Sequence, residues 1–544
     1  MKNQIYYGDN LDVLRRYIKD ESVDLCYIDP PFNSKRNYNQ IYNNIGKEDA
    51  AQAQAFIDTW TWDDNANIGL AEIQSNYNGV FTEQSIDLIT GLEKVLKKGA
   101  LLAYLVSMTL RIAEIHRVLK PTGSFYLHCD PTASHYLKLV IDAIFCAKGG
   151  DFQNEIIWER TNAHNMKTKA YVRSNDTIFF YTKSSNFLFN TQFTDYGEQQ
   201  LKRFKADEKG RLYKAENLTF SSANPSRQFQ WRGSKPPAHR SWGASLEQLE
   251  KWYEEGRILL KKDGTPRLDG LKIYLDDTQG KPVTSNWTDI NRIGNTSSER
   301  MGYPTQKPEA LLERIIKASS NEGDVILDAY CGCGTTVAVA QKLKRQWIGI
   351  DITYQSIALI LKRLEDQDAG ALDNVLIAGV PKDFEAAEAL ANRKDDRTRK
   401  EFEKWIVLTY SKNRAIIKEQ KGGDDGIDGV AYIPESTTEN SKVLFSVKSN
   451  KKLTPAVVRE LFGTVEREKA ACGILLTLYP MPNLVKESKK YGVYRNQFTG
   501  NEYPKIQVIC VQEIFEGQLI NLPNVHKVLK KAEQHAEQMD LLDN

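Results

Sequence analysis

The chain has 544 residues, of which 41% are hydrophobic and 26% charged, a composition typical of globular domains and not of disordered chains. Its 73 Lys and Arg against 71 Asp and Glu give a net charge of +2, which excludes a uniformly basic surface. Short apolar runs predict no membrane partner, and seven scattered Cys without a signal-like start predict a reduced cytoplasmic protein. The length predicts three or four folding units.

The first region of the chain has the pattern of an α/β domain. Residues 22–28 form an apolar run that predicts a buried parallel strand, and Asp29-Pro30-Pro31-Phe32 follows as a turn. Further on, helical spacing over 110–120 precedes Pro121-Thr122-Gly123 and a strand-like run at 124–128. The prediction is helix, turn and strand.

The turn at 29–32 carries groups that suit a nucleobase. An acid that follows a strand lies where open α/β sheets bind their ligands. The two prolines remove N–H donors, so Asp29 and an outward carbonyl can accept hydrogen bonds from an exocyclic amino group. The ring of Phe32 can stack on the base. A strand-ending turn with a packed Phe is the structural alternative.

A second α/β region begins near residue 324. Residues 324–328 predict a strand, Cys331-Gly332-Cys333-Gly334 a glycine turn, 335–343 a helix, and 347–351 the next strand. Glycines let a ligand approach the backbone, and Asp351 can accept hydrogen bonds from ribose hydroxyls. This combination favours an adenosine-containing cofactor. Because no second Cys or His pair is nearby, the two Cys predict a tight turn and not a metal site.

The segment between these regions differs in composition. Residues 201–240 contain ten Lys or Arg and three acids, a local excess of seven positive charges. Such a patch predicts contacts with phosphates. We expect Trp231 and Trp242 to be core residues, and the charged run 384–404 to be a solvated helix.

The last part of the chain has a signature of its own. Residues 422–430 are an acidic glycine-rich turn, and the strand-like run 443–448 ends in Lys448. An acid before a hairpin and a Lys that ends the next strand can hold a divalent metal and polarise water against a phosphodiester. Helix 457–463 and strand 473–477 follow. A solvated acidic turn with a surface Lys is the structural alternative.

The motifs of the first two regions, taken in order, resemble the permuted amino-group DNA methyltransferases that use S-adenosylmethionine. The resemblance extends over about residues 1–375 and rests on four stretches: 7–11, 29–32, 303–308 and 328–335. It implies a catalytic turn at Asp29, Pro30, Pro31 and Phe32, although Tyr is commoner than Phe32 in the family. It also implies cofactor contacts at Asp9, Thr305, Lys307, Asp328, Cys331, Gly332, Gly334, Thr335 and Asp351.

The resemblance further implies a reaction and a partner. The target base leaves the DNA duplex, and its amino nitrogen is positioned at the methyl group of the cofactor. An Asp at the start of the tetrapeptide resembles the adenine-N6 branch; a cytosine-N4 methyltransferase is the alternative. The family keeps its target-recognition domain where the basic insert falls, which places DNA contacts at Arg203, Lys205, Arg227 and Arg232.

Residues 400–480 resemble the Mrr-type restriction endonuclease domain of the PD-(D/E)xK fold. The resemblance assigns Asp428 to the metal, with Mg²⁺ as the candidate ion, and Lys448 to catalysis. Ser446 departs from the Glu or Gln expected there. The domain is therefore either an active nuclease, which would make the chain a single-chain restriction–modification enzyme, or a DNA-binding domain without cleavage.

Together these features predict an α/β fold in which a doubly wound, mostly parallel, Rossmann-like sheet carries an inserted recognition domain and a C-terminal nuclease-like domain. The predicted bounds are a catalytic half (1–150), a recognition domain (151–300), a cofactor-binding half (301–380), a helical connector (381–404), a nuclease-like domain (405–522) and a polar helical tail (523–544). The expected partner is double-stranded DNA. The oligomeric state stays open, with a homodimer among the alternatives.

Overall fold

A computed structural model gives the fold of most of the chain. It describes residues 2–31, 60, 62–161, 169, 171–172, 174–222, 224–294, 297–301, 303, 305–368, 370–381, 383–392, 396–411, 415–417, 426–435, 440–497, 500–516 and 520–522. Phe32 and the tail at 523–544 lie outside this set. The chain divides into two compact units, Thr191–Thr284 and the rest. Among the described residues, no helix combines the length and apolarity needed to cross a membrane.

The larger unit is built on a nine-stranded sheet. Its elements before the insert are β1 (Asn3–Tyr7), α1 (Asn10–Tyr17), β2 (Val23–Ile28), α2 (Asp64–Ser75), α3 (Glu83–Leu96), α4 (Ala100–Val118), β3 (Leu119–Cys129), α5 (Ser134–Phe145), β4 (Asp151–Glu159) and β5 (Asn175–Thr182). Those after it are β14 (Asn286–Trp287), α8 (Glu309–Ser319), β15 (Val325–Asp328), α9 (Thr335–Lys342), β16 (Gln346–Asp351), α10 (Tyr354–Gln367) and β17 (Val375–Ala378).

The strand order of this sheet is β14-β4-β5-β3-β2-β15-β16-β1-β17, and only β5 runs antiparallel to its neighbours. The predicted α/β class with a mostly parallel sheet is confirmed. The central strands β2 and β15 are almost entirely buried, which explains their continuous apolar runs. The turn predicted at 121–123 is wrong, because β3 already begins at Leu119 and accommodates these residues as a shift in its register against β2.

The smaller unit contains β6 (Phe193–Thr194), α6 (Glu198–Leu201), β7 (Lys205–Ala206), β8 (Leu212–Glu216), β9 (Thr219–Phe220), β10 (Ser241–Trp242), α7 (Leu246–Glu254), β11 (Ile258–Leu260), β12 (Pro266–Tyr274) and β13 (Lys281–Pro282). Trp231 and Trp242 are buried in its core, as expected. The unit is shorter than the segment 151–300 assigned from composition, because β4 and β5 pair within the nine-stranded sheet.

The C-terminal part of the larger unit contains α11 (Phe384–Ala391), α12 (Asp396–Tyr410), β18 (Ile416–Ile417), β19 (Gly429–Pro434), β20 (Asn440–Lys448), α13 (Ala456–Arg467), β21 (Cys472–Thr477), α14 (Pro482–Ser488), β22 (Val493–Arg495), β23 (Glu502–Pro504), β24 (Ile506–Cys510) and α15 (Val511–Phe515). Its sheet has the order β18-β19-β20-β21-β24, with β20, β21 and β24 parallel. The solvated helix expected at 384–404 is wrong, because the run contains two helices, α11 and α12, and both bury residues in the core of this sheet, among them Ala387 and Phe402.

The pairing of β4 with β5 can be tested through Gly150. A Cβ atom at this position would lie 2.5 Å from the carbonyl oxygen of Thr182 and 3.0 Å from that of Phe145. We therefore expect Gly150→Ala to lower the free energy of unfolding by about 1–3 kcal/mol, measured by urea denaturation. As a control, Gly91→Ala lies inside α3 with nothing within 4 Å and should stabilise the protein by about 1 kcal/mol. Equal effects of the two substitutions would contradict this placement of β4.

Candidate active site

Four carboxylates meet at one edge of the nine-stranded sheet. Asp9 follows β1, Asp29 follows β2, and Asp328 and Asp351 are the last residues of β15 and β16. These strands are parallel and adjacent, so their carboxyl ends open on the same side, where α/β sheets bind ligands. All four acids line a cavity of about 1220 Å³. The structure thus brings together the predicted catalytic turn and the predicted cofactor residues.

Asp29 forms an ion pair with Lys307. The ammonium of Lys307 contacts Oδ2 of Asp29, and the two side chains are 11% and 16% exposed. Lys307 also approaches the carbonyl oxygen of Thr305 at 3.4 Å. The sequence resemblance implies a cofactor contact for Lys307, and the structure places its ammonium on the carboxylate of Asp29.

The glycine turn lies beside this pair, at the end of β15. Gly332 and Gly334 have positive φ of 51° and 75°. A Cβ on Gly332 would lie 3.0 Å from the ring of Tyr303, and one on Gly334 would lie 2.6 Å from Ile360. Only glycine therefore fits both positions without a shift of these neighbours.

The two thiols of the turn belong to its packing. Cys331 and Cys333 are both buried, and burial raises the pKa of the Cys331 thiol well above its usual value. Metal ligation requires the thiolate, which this environment disfavours. Within the described residues, no three His, Cys, Asp or Glu side chains are grouped so that they could hold a metal ion.

Asp351 links the glycine turn to the next strand. Its Oδ2 accepts a hydrogen bond from the backbone N–H of Gly332 at 2.8 Å, and Oδ1 accepts from the N–H of Thr353 at 2.9 Å. Burial raises the pKa of its carboxyl group. The following residue, Ile352, is 40% exposed and lines the cavity, which offers an apolar face beside the acid. Ile352 was not predicted as a site residue, although it directly follows the strand-ending acid Asp351.

Asp328 is the most deeply buried of the four acids. Burial raises the pKa of its carboxyl group to about 7, and the charges of Asp29 and Asp351 add to the rise. Hydrogen bonds from the hydroxyl of Thr336 and the backbone N–H of Tyr330 act in the opposite direction. Near neutral pH this group is therefore only partly ionised, which relieves the repulsion among the carboxylates.

Asp9 has a structural role that is visible in the geometry. It caps α1 by accepting a hydrogen bond from the N–H of Leu11 at 2.9 Å. Its second oxygen pairs with Arg111 at 2.9 Å, and Arg111 also donates to Asn10 at 2.6 Å. Arg111 lies on α4 about a hundred residues away, so no local pattern pointed to it.

A chain of buried polar groups lies behind the catalytic turn. The hydroxyl of Tyr27 is 2.9 Å from Nδ1 of His128, whose Nε2 is 3.3 Å from Asp176. Asp176 also pairs with Arg160 at 3.2 Å. These residues belong to, or directly follow, strands β2 to β5, so the network ties together the part of the sheet that supports Asp29.

A buried arginine supports the start of α9. Arg363 donates to the hydroxyl of Thr335 at 3.1 Å and to Glu309 at 2.7 Å. Thr335 is the first residue of α9 and lines the cavity. Arg363 therefore fixes a predicted cofactor residue without reaching the cavity itself.

The basic residues of the inserted unit differ in their surroundings. Arg232 pairs with Glu250 at 2.7 Å, and its guanidinium lies 3.8 Å from the ring centre of Tyr253. Arg227 reaches the carbonyl oxygen of Gly243 at 3.4 Å. Within the described part of the chain, Arg203 and Lys205 form no ion pair. Of the four basic residues predicted to contact DNA, Arg203 and Lys205 are therefore less engaged within the protein than Arg232, which is held by Glu250.

The predicted nuclease-like residues lie on two neighbouring strands. Asp428 directly precedes β19, and its Oδ2 accepts a hydrogen bond from the backbone N–H of Val447 at 2.6 Å. Ser446 and Lys448 share one face of β20, because side chains alternate along a strand. Ser446 is buried and Lys448 is partly exposed. The structure thus brings the three residues into one neighbourhood.

Comparison with known proteins identifies two families along the chain. The family model described as DNA methylase matches residues 23–362, and the family model described as restriction endonuclease matches residues 395–491. Both family resemblances seen in the sequence are therefore confirmed.

Curated relatives cover different shares of the chain. The type II methyltransferase M.EcaI of Enterobacter cloacae is 29% identical over 48% of this chain and 57% of its own length. The type III restriction-modification enzyme StyLTI Mod subunit of Salmonella typhimurium is 23% identical over 63% of this chain and 50% of its own. The DNA adenine methyltransferase YhdJ of Escherichia coli is 26% identical over 66% of this chain and 82% of its own length.

The chain spans 57% and 50% of the length of the first two relatives. The methylase match, in contrast, covers well over half of the 544 residues. The chain therefore belongs to the DNA methylase family.

Proposed function

We propose that this chain transfers a methyl group from S-adenosylmethionine to the N6 amino group of adenine in duplex DNA. One observation carries the proposal: Asp29 and the glycine turn follow adjacent strands, β2 and β15, and line the same cavity. An acceptor for an amino group and a loop for an adenosine cofactor thus lie side by side. The relative YhdJ, named a DNA adenine methyltransferase, supports the choice of adenine.

The residues present fit the proposed cofactor. Gly332 of the glycine turn lines the cavity, and Asp351 stands at the end of β16 where it can accept hydrogen bonds from a ribose. Thr335 opens α9 and offers a donor for a carboxylate. A sulfonium carries positive charge, which the carboxylates around the cavity favour. When bound, the cofactor supplies an electrophilic methyl group.

The catalytic turn would position the base. Lys307 contacts Oδ2 of Asp29, so Oδ1 is the oxygen that would accept one amino hydrogen, and the carbonyl of Pro30 would accept the other. Phe32 would stack on the ring, after the base has left the duplex. Holding both hydrogens frees the nitrogen lone pair from ring conjugation, so the contribution is positioning and electrostatics.

Substitution of Asp29 tests this assignment. We expect Asp29→Ala to reduce methyl transfer to DNA by at least about a hundredfold, because the amino group loses a preorganised acceptor. The dissociation constant for S-adenosylmethionine, measured by calorimetry, should change little. Asp130→Ala is the control, since Asp130 follows the neighbouring strand β3 and does not line the cavity. Methyl transfer retained in Asp29→Ala would refute the role of Asp29.

The inserted unit would supply contacts to DNA phosphates. Each phosphate contact contributes about 0.9 to the slope of log affinity against log salt concentration. We expect the double variant Arg203→Ala, Lys205→Ala to reduce this slope by nearly two, measured by fluorescence anisotropy with duplex DNA.

A second double variant controls for the change in net charge. Arg232→Ala with Arg267→Ala also removes two positive charges from the unit, but both arginines already pair with acids, Glu250 and Asp269. Its effect on the slope should be smaller. If the two double variants behave alike, Arg203 and Lys205 are not the contact residues.

A second candidate function, DNA cleavage, is supported by the match to the restriction endonuclease family. The donors on the described strands are one carboxylate, Asp428, and one buried hydroxyl, Ser446. Mg²⁺ prefers carboxylates and waters in an octahedral shell, so this set fits the ion poorly. No metal-dependent step therefore follows from these residues. The missing carboxylate at Ser446 is what makes the donor set unsuitable for the ion.

A gain-of-function variant tests this candidate. We expect the wild type to leave plasmid DNA uncut with Mg²⁺ or Mn²⁺, and Ser446→Glu, which restores the carboxylate that the fold resemblance requires, to cleave it. Adding Lys448→Ala to Ser446→Glu should abolish the gain. If neither variant alters cleavage in methylated or unmethylated plasmid, the domain does not cut DNA.

A further inference from the structure

Helix α12, the second helix of the C-terminal part, packs against both the methylase side and the C-terminal sheet. Phe402 and Trp405 are buried in a hydrophobic core that includes Phe445 of β20, the strand that also carries Ser446 and Lys448. The same core contains Tyr354, the first residue of α10 on the methylase side. A single packed core therefore connects α10, α12 and β20.

The polar face of α12 is anchored to the end of the methylase sheet. Oε2 of Glu401 lies 3.2 Å from both the hydroxyl of Tyr7 and the backbone N–H of Tyr354, which donate to it. Oε1 of Glu401 accepts from the ammonium of Lys404 at 2.9 Å. Tyr7 ends β1, and Tyr354 lies three residues after Asp351. Glu401 thus bridges the two strand ends next to the proposed ribose site.

Glu401 and Lys404 line the same cavity as the glycine turn. Each is only 9% exposed, and the cavity wall they form also includes Gly8, Asp351 and Ile352. An adenine ring offers nitrogen acceptors, and a Lys ammonium carries three N–H donors, so it can donate to such a ring as well as to Glu401.

We propose that Lys404, held in place by Glu401, completes the adenosine end of the cofactor pocket, so that the nuclease-like domain contributes a binding residue to the methyltransferase. The inference rests on the proposed function, because it takes S-adenosylmethionine as the ligand. Since α12 packs on β20, cofactor binding then stabilises the attachment of the C-terminal domain. By linkage, a ligand that disturbs α12 weakens cofactor binding by the same factor by which the cofactor weakens the binding of that ligand.

The test measures the dissociation constant of S-adenosylmethionine for the full chain by calorimetry. Losing a charge-assisted hydrogen bond weakens binding about ten- to a hundredfold, and we expect this for Lys404→Met. Lys404→Arg keeps a donor and should restore part of the affinity. Lys505→Met, which removes an ion-paired Lys of the same domain outside the cavity wall, should bind like the wild type.

Hydrogen exchange provides a second readout that a purely structural role would not change. We expect the cofactor to slow exchange of the α12 amides in the wild type but not in Lys404→Met, while exchange without cofactor is the same in both. Absence of protection in the wild type would overturn the proposal even if Lys404→Met failed to fold.

Asp351→Asn separates this inference from the proposed function. Weaker binding in Asp351→Asn together with unchanged binding in Lys404→Met would refute the role of Lys404 and leave the cofactor site standing. Unchanged binding in both variants would instead refute the cofactor site itself, and the inference with it.

Discussion

The pairing of β2 with β15 is the contact on which the rest of the active site depends. Leu25 and Cys26 lie opposite Ile326 and Leu327, about three hundred residues later in the chain. Because the two strands are parallel and end at the same level, Asp29 and the glycine turn become neighbours. The insert can lie between them in sequence because the sheet, and not the chain, brings the two halves together.

This arrangement concentrates negative charge at one edge of a buried sheet. Asp29 is compensated by Lys307 and Asp9 by Arg111, whereas Asp351 is held by backbone N–H groups. Asp328 has no cationic partner among the described contacts, and burial raises its pKa to about 7. A cationic ligand in the cavity would favour the ionised form of this carboxyl group. The four carboxylates therefore differ in how far neighbouring groups compensate their charge. Asp328, beside the glycine turn, is compensated least.

The sequence allowed the strands and their terminal acids to be predicted, because buried parallel strands are continuous apolar runs and their acids follow directly. The pairing of Lys307 with Asp29 and of Arg111 with Asp9 could not be predicted, since each joins residues that are far apart in the chain. The predicted start of the insert at residue 151 differs from the structure for another reason. The first half of β4 is mostly polar and exposed, and its composition therefore resembles that of a loop.

The boundary between the methylase and endonuclease regions shows most clearly that composition alone does not predict which residues are buried. The charged run before Lys404 looked like a solvated connector, yet the apolar residues Phe402, Trp405 and Ile406 lie at helical spacing and turn one face of α12 into the core. The methylase and endonuclease matches end and begin at 362 and 395, but the packed core runs from Tyr354 across that gap to Val447. The packed core extends beyond the limits of the two family matches. The methylase and endonuclease regions therefore cannot separate at this point without exposing apolar surface.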